Sequence, residues 1–254
     1  MKFNVKEATE GIIKWIQNWF DKNGKGCNAV IGISGGKDST VCAGLLVKAL
    51  GNERVIGVLM PNGEQSDIQD SIKICNFLKI HYHIININDA YNSIVKNIEY
   101  NTDLPISKQT QENLPPRLRM STLYAVSQSV NGRVCNTCNL SEDWVGYSTR
   151  YGDSVGDFSP LSNYTVTEVR EIGHYLNLPS ELVDKTPADG LCGKSDEDNL
   201  GFTYAELDQY IRNGILPSPK IKKIIDDKHI KNAFKLQLMQ CAPQFGYPEN
   251  LHYD

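Results

Sequence analysis

Two glycines, three hydroxyls, a lysine and a carboxylate fall in one unbroken run, Ser34-Gly35-Gly36-Lys37-Asp38-Ser39-Thr40. Glycines let backbone N–H groups close around an anion, and a helix starting directly after them adds unpaired donors and its dipole. The run is not a Walker loop. Counting back from Gly36-Lys37, that loop's first glycine would stand at Ile31, and Asp38 occupies the place of its Mg²⁺-binding hydroxyl. A carboxylate repels phosphate unless a cation lies between them, so Asp38 is a candidate Mg²⁺ ligand, with a capping aspartate as the plain alternative.

Other candidates are scattered along the chain. Arg117 and Arg119 stand near a helix start, where guanidinium groups suit a pyrophosphate or a carboxylate. Arg150 and Asp157 flank a glycine-containing turn and suit a polar substrate. Cys135-x-x-Cys138 has no second pair to complete a zinc site, and Cys135 lies within an apolar run.

The elements that must position these groups alternate in type. An amphipathic helix spans 4–20, with Asn4 and Glu7 as a capping box. Apolar runs at 29–33, 54–60, 81–87 and 133–137 read as strands. Helices are expected at 39–50, 66–78, 89–100 and 117–130, the last preceded by a polar stretch that contains Pro115-Pro116. Such alternation predicts an α/β fold: a doubly wound, mostly parallel sheet with helices on both faces, binding ligands at the carboxyl ends of its strands. The last third is helical, with Thr165/Glu168 and Thr203/Glu206 as helix starts and a final helix from Pro219. Trp15 and Trp19 on the first helix are assigned to the core rather than to a contact between subunits.

Composition is that of a soluble globular protein, with 254 residues, 40% hydrophobic, 22% charged, and a net charge of −4. The acidic balance argues against a free-standing nucleic-acid binder. No signal-peptide pattern or membrane-spanning run is visible, and seven scattered cysteines read as reduced thiols of a cytoplasmic protein.

The string SGGKDS resembles the pyrophosphate loop of the N-type ATP pyrophosphatases, enzymes that cleave ATP between its α and β phosphates to adenylate a substrate. Three further stretches are similar to NAD synthetases within that superfamily. The first is Asn113-Leu-Pro-Pro-Arg117-Leu-Arg119-Met120. The second runs from Asn136 to Asp157 and on to Pro160, with Thr137, Glu142, Arg150 and Tyr151-Gly152-Asp153 at the family's spacing. The third is Lys185-Thr-Pro187 followed by Ser195 to Tyr204, which in the family includes a mobile loop over the site. Gln65 sits in a Pro-x-Gly-x-Gln-like segment, near the adenine in the family. The resemblance covers nearly the whole chain and implies a Rossmann-like, adenine-nucleotide α-hydrolase-like fold with extra C-terminal helices. It also implies one synthetase domain over 1–254 with no glutaminase domain.

By the same resemblance ATP meets Gly32, Ile33, Ser34, Gly35, Gly36, Lys37, Asp38, Ser39, Gln65 and Thr137. Deamido-NAD meets Asn113, Arg117, Arg150, Asp157 and His229. Asp38 and Glu142 hold Mg²⁺, and Asp157 orients ammonium or accepts its proton. The implied reaction is ATP-dependent amidation of deamido-NAD with ammonia, by a homodimer that engages neither nucleic acid nor membrane. A tRNA-thiolating ATP pyrophosphatase using Cys138 and a non-catalytic ATP-binding sensor are the alternatives. The chain departs from the family at Thr137-Cys-Asn-Leu-Ser-Glu142, at Ala188, at His229-Ile230 and at Val166, which replaces an ATP-contacting lysine. Lys185 or Lys194 is expected to take over that lysine's contact.

Overall fold

In the computed structural model, residues 3–186 and 195–239 are described. α1 (Val5–Asn23) starts where the Asn4 side chain accepts the Glu7 N–H, and it ends at Gly24. β1 (Asn28–Gly32) runs through the glycines into α2 (Lys37–Leu50). β2 (Val55–Leu59), α3 (Ile68–Leu78), β3 (His81–Ile84) and α4 (Asn88–Asn101) follow. α5 (Lys108–Ser129) then leads to β4 (Gly132–Cys135). Beyond it lie α6 (Leu140–Val145), α7 (Val166–Tyr175), α8 (Ser180–Val183), α9 (Asp196–Leu200), α10 (Tyr204–Asn213) and α11 (Pro219–Asn232). Among the described residues no helix is long and apolar enough to cross a membrane.

The strands lie in the order β3-β2-β1-β4, every neighbouring pair parallel. Successive side chains of a strand point to opposite faces, and β1 shows this directly. Ala29 and Ile31 join the cluster built with Ile16 and Phe20 of α1, Leu45 and Leu46 of α2, and Ile172 of α7. Val30 points the other way, to Val58, Met60 and the half-buried Leu118, Leu123 and Val126 of α5. Covering both faces is what allows β1 to be a continuous apolar run. The chain winds outward from β1 to β3 and then crosses back to β4, so the winding reverses between β1 and β4. Such a reversal opens a crevice at the carboxyl ends of the two strands.

Two sequence expectations change. The helix expected from Arg117 begins at Lys108, capped by Ser107, and passes through Pro115 and Pro116. Prolines interrupt helical hydrogen bonding, but here Pro115 is buried and Pro116 packs on the turn around Gly152, where an added Cβ would lie 2.9 Å from the proline Cβ. Tertiary packing overrides local propensity. Trp19 packs on Phe20 and Phe158 as expected, whereas Trp15 is 43% exposed. Glu142 sits in the first turn of the short helix α6.

Candidate active site

Gly36 starts α2 without a side-chain cap, so the first-turn N–H groups face outward from the loop. Hydroxyls brace the loop itself: the Ser34 N–H donates to Ser39 Oγ at 3.3 Å, and the Gly36 N–H to Ser34 Oγ at 3.2 Å. Gly35 has φ +77°, and a Cβ there would meet Asp70 Cβ at 2.7 Å and Ser71 N at 2.9 Å. A side chain at this position would push the loop off α3, which explains the glycine. Gly32, Ile33, Ser34, Gly35, Gly36, Lys37, Asp38 and Ser39 thus run as one segment from the end of β1 into α2, with Ile33, Lys37 and Ser39 buried.

Across the crevice, Thr137 lies between β4 and α6, and Glu142 follows on α6. Asn139 is the N-cap of α6: its Oδ1 accepts the Glu142 N–H at 3.1 Å while its Nδ2 donates to Asp38 Oδ1 at 3.0 Å. Lys37 lies between the two acids, its Nζ 2.8 Å from Asp38 Oδ2 and 3.8 Å from Glu142 Oε1. Burial lowers the lysine's pKa, but the Asp38 and Glu142 charges outweigh it and the net shift is upward. Burial, with Asp38 next in weight, pushes the Glu142 carboxyl well above the usual carboxylate range. Buried Asp196, at the start of α9, adds negative charge that both Lys37 and Glu142 feel. Hard oxygen donors short of positive charge fit Mg²⁺, which is commonly held by one or two carboxylates plus substrate phosphates. Among the described residues no three His, Cys, Asp or Glu side chains converge on a single metal position.

A second group surrounds the turn after α6. Asn113 of α5 accepts the Thr149 hydroxyl at 2.8 Å, and Arg117 Nε donates to the Arg150 carbonyl at 3.3 Å. Arg119 is taken up by structure, donating to the Met60 carbonyl at 3.0 Å. The Arg150 guanidinium lies over the Tyr151 and Phe234 rings. Asn113, Arg117 and Arg150 are therefore brought together.

Asp157 lies beside β4. Its Oδ2 accepts the Val134 N–H at 2.7 Å and its Oδ1 the Tyr124 hydroxyl at 3.2 Å, while its own N–H donates to the Val134 carbonyl. The residue seals the outer edge of β4. Asp153, four residues earlier, opens to solvent on one side while protein crowds it on the others, and that desolvation raises its pKa despite the Thr149 N–H donated to it at 2.9 Å. Its charge reaches Glu142 and Arg119. Sequence reasoning gave a role to Asp157 but none to Asp153, Asn139 and Asp196. The N-x-x-E spacing from Asn139 to Glu142 was a visible capping signal.

His229 stacks on Trp144 with ring centroids 4.4 Å apart and bonds the Trp144 carbonyl through Nδ1 at 2.7 Å. Asn232 Nδ2 donates to the Val145 carbonyl, and Lys235 Nζ to the Gly146 and Ser148 carbonyls. α11 and the turn after it thus satisfy the carbonyls that end α6, the helix that presents Glu142. His229 holds that helix from behind.

Gln65 Nε2 donates to Asp67 Oδ1 at 2.9 Å, and Lys185 pairs with Asp67 and Asp70 at 2.8 and 2.7 Å. This ties both to the first turn of α3. Val166 is buried in an apolar cluster with Val145, Leu200, Tyr204, Leu207 and Ile225. Pro187, Ala188 and Lys194 lie outside the described residues. Cys42, Cys135 and Cys138 are buried free thiols beneath the site, and burial pushes the Cys138 thiol well above its ordinary pKa. An activated thiolate requires the opposite shift, so the thiolating alternative loses its nucleophile.

The family described as NAD synthase matches residues 8–244. The NH(3)-dependent NAD(+) synthetase of Carboxydothermus hydrogenoformans is 36% identical over 84% of this chain and 88% of its own length. The solved NMN synthetase of Francisella tularensis superposes with a TM-score of 0.88 at 33% identity, over 96% of this chain and all of that one. The NH3-dependent NAD synthetase of Campylobacter jejuni gives a TM-score of 0.77 at 26% identity, over 95% of this chain and all of that one. With its anion loop at the end of β1, its paired carboxylates across the crevice, and a match spanning almost its full length, this chain belongs to the NAD synthase family.

Proposed function

We propose that the protein amidates the nicotinate carboxylate of deamido-NAD with ammonia, consuming ATP and giving NAD, AMP and pyrophosphate. The observation that carries this reading is the placement of Asp38 and Glu142 on opposite sides of the crevice, joined through Asn139 and set beside the glycine loop. A parallel sheet holds ligands at that position, and the donor set suits a nucleotide bound with its cation.

The chain's own residues take the following roles. First-turn N–H groups of α2 and the Ser34–Ser39 loop hold the departing pyrophosphate. Thr137 and Gln65 bound the nucleotide. Asn113, Arg117 and Arg150 hold the carboxylate substrate so that its oxygen faces the α-phosphorus, because positioning supplies much of the rate in such displacements. Mg²⁺ held by Asp38 and Glu142 would neutralise phosphate charge. When ammonia then displaces AMP, the proton lost from nitrogen goes to Asp153, whose carboxyl lies above its usual range; Asp157 keeps β4 in place. His229 acts through α6.

A homodimer is supported by the outer layer of the sheet. α4 buries no residue, and of the 22 residues of α5 only Pro115 and Ser127 are buried, so apolar side chains such as Ile94 are left for a second copy to cover. We place the chain in the cytoplasm and treat it as one synthetase domain supplied directly with ammonia.

The likeness to an NMN synthetase gives a second reading on the same chemistry, in which the carboxylate belongs to the corresponding mononucleotide. One experiment separates them: purified protein with Mg·ATP and either deamido-NAD or nicotinate mononucleotide, with and without ammonium, following pyrophosphate and the amide product. Ammonium-dependent NAD with the faster turnover supports the first reading. Faster amidation of the mononucleotide replaces it with the second. No amide from either acid refutes both and favours the sensor alternative.

A further inference from the structure

We propose that Lys37 is a built-in cation that fills the divalent-metal position until ATP arrives, and that metal and nucleotide together displace its ammonium onto the phosphates. The proposal rests on the metal reading given above, which assigns Asp38 and Glu142 as ligands.

Lys37 is 3% exposed, and lysine is rarely buried to that degree unless paired. Its ammonium bridges both candidate ligands, at 2.8 Å to Asp38 and 3.8 Å to Glu142, and lies 5.6 Å from the centre of the Tyr204 ring. Asn139 holds the other Asp38 oxygen, so the carboxylate is oriented toward the position the ammonium occupies. Taking this cation away from half-buried carboxylates leaves their charge uncompensated, which a divalent cation can offset. A divalent ion and the ammonium repel each other and compete for the same oxygens.

Lys37 stands in the first turn of α2, directly beside the anion loop, on a flexible four-carbon stem. Its ammonium can therefore move from the carboxylates to a phosphate oxygen by side-chain rotation alone. Two consequences follow. Nucleotide-free protein holds a divalent ion weakly, because the ion must evict an ammonium that has nowhere else to go. ATP supplies that destination, so metal and nucleotide each tighten the other's binding by the same factor.

The test measures Mn²⁺ binding by the electron paramagnetic resonance of the free ion, with the whole chain and no nucleotide. Lys37→Met keeps an unbranched side chain, one atom shorter, and removes the charge; Lys37→Gln does so with a donor retained, and serves if the methionine variant does not fold. Either is expected to bind Mn²⁺ roughly tenfold or more tightly than the unmodified protein, and adding an unreactive ATP analogue should then tighten Mn²⁺ less than it does in that protein. The gain should vanish when Glu142→Gln is combined with the Lys37 variant. Unchanged or weaker Mn²⁺ affinity in the Lys37 variants, with Glu142→Gln still weakening binding, overturns the role of Lys37 and leaves the metal site standing. If Glu142→Gln changes Mn²⁺ binding in no background, the metal site itself is wrong and the proposal falls with it.

Discussion

Asn139 is fully buried and serves both walls of the crevice, capping α6 through Oδ1 and holding Asp38 through Nδ2. Replacing it with alanine removes an N-cap worth about 1 kcal/mol. It also strips a donor from a partly buried carboxylate oxygen, a further loss of about 1–3 kcal/mol. The expected destabilisation of Asn139→Ala is their sum, about 2–4 kcal/mol. Asn139→Ser keeps a capping oxygen but cannot reach Asp38, so only the second part, about 1–3 kcal/mol, should be lost. Urea titration at neutral pH measures both, with unchanged slopes showing that the midpoint shift reports stability. Serine should recover about 1 kcal/mol relative to alanine. Equal losses in the two variants, or an alanine variant within about 0.5 kcal/mol of the unmodified protein, would refute the double role.

Three other outcomes follow from single side chains. Asp208 is buried and accepts from the Ser141 hydroxyl at 2.5 Å and from the Thr167 N–H and hydroxyl at 2.8 and 2.6 Å, so Asp208→Asn, which turns a donor toward donors, should cost about 2 kcal/mol in urea unfolding. Gly35→Ala must bear both the left-handed φ and the contact with Asp70, a loss of about 2–4 kcal/mol, read as a lowered denaturation midpoint. Burial first, and then the Asp157 charge, push the Tyr124 phenol from 10 up to about 12. Its contribution to stability is therefore complete below the ordinary tyrosine range and is lost as pH rises through the higher value. The ultraviolet titration difference between the protein and Tyr124→Phe should be centred near 12, and a step at 10 would contradict the environment described.

Sequence revealed what local chemistry dictates. The glycine loop between a strand and a helix, the caps at Asn4, Thr165 and Thr203, and the four parallel strands all leave short-range marks, and each appears where its spacing placed it. Relations across the chain were less legible. Asp153 and Asp157 are equivalent on a linear reading, four residues apart around a turn. Only their partners tell them apart: Asp157 accepts the Val134 N–H at a strand edge, and Asp153 accepts the Thr149 N–H within the turn. The prolines of α5 hid a helix because the packing that tolerates them comes from residues near 150. Nothing local to His229 reveals that Trp144, 85 residues away, supplies its carbonyl partner.

Val166 shows how the charges of such a site are redistributed. Val166, where the resemblance to NAD synthetases implies a lysine, is a wall of the apolar cluster beneath α6, and its N–H is bonded to the Ser141 hydroxyl, beside Glu142. A lysine there would lie against Val145, Leu207 and Ile225, a wall that disfavours an unpaired charge. Lys185 is held by Asp67 and Asp70 on α3. Lys37, in the open position of SGGxDS, already stands between Asp38 and Glu142 on the loop itself. A cation on α2 stands on the anion loop, whereas position 166 is at the start of α7. On the role proposed for Lys37, that cation competes with a divalent ion for Asp38 and Glu142, so metal affinity, more than turnover, is the quantity to measure.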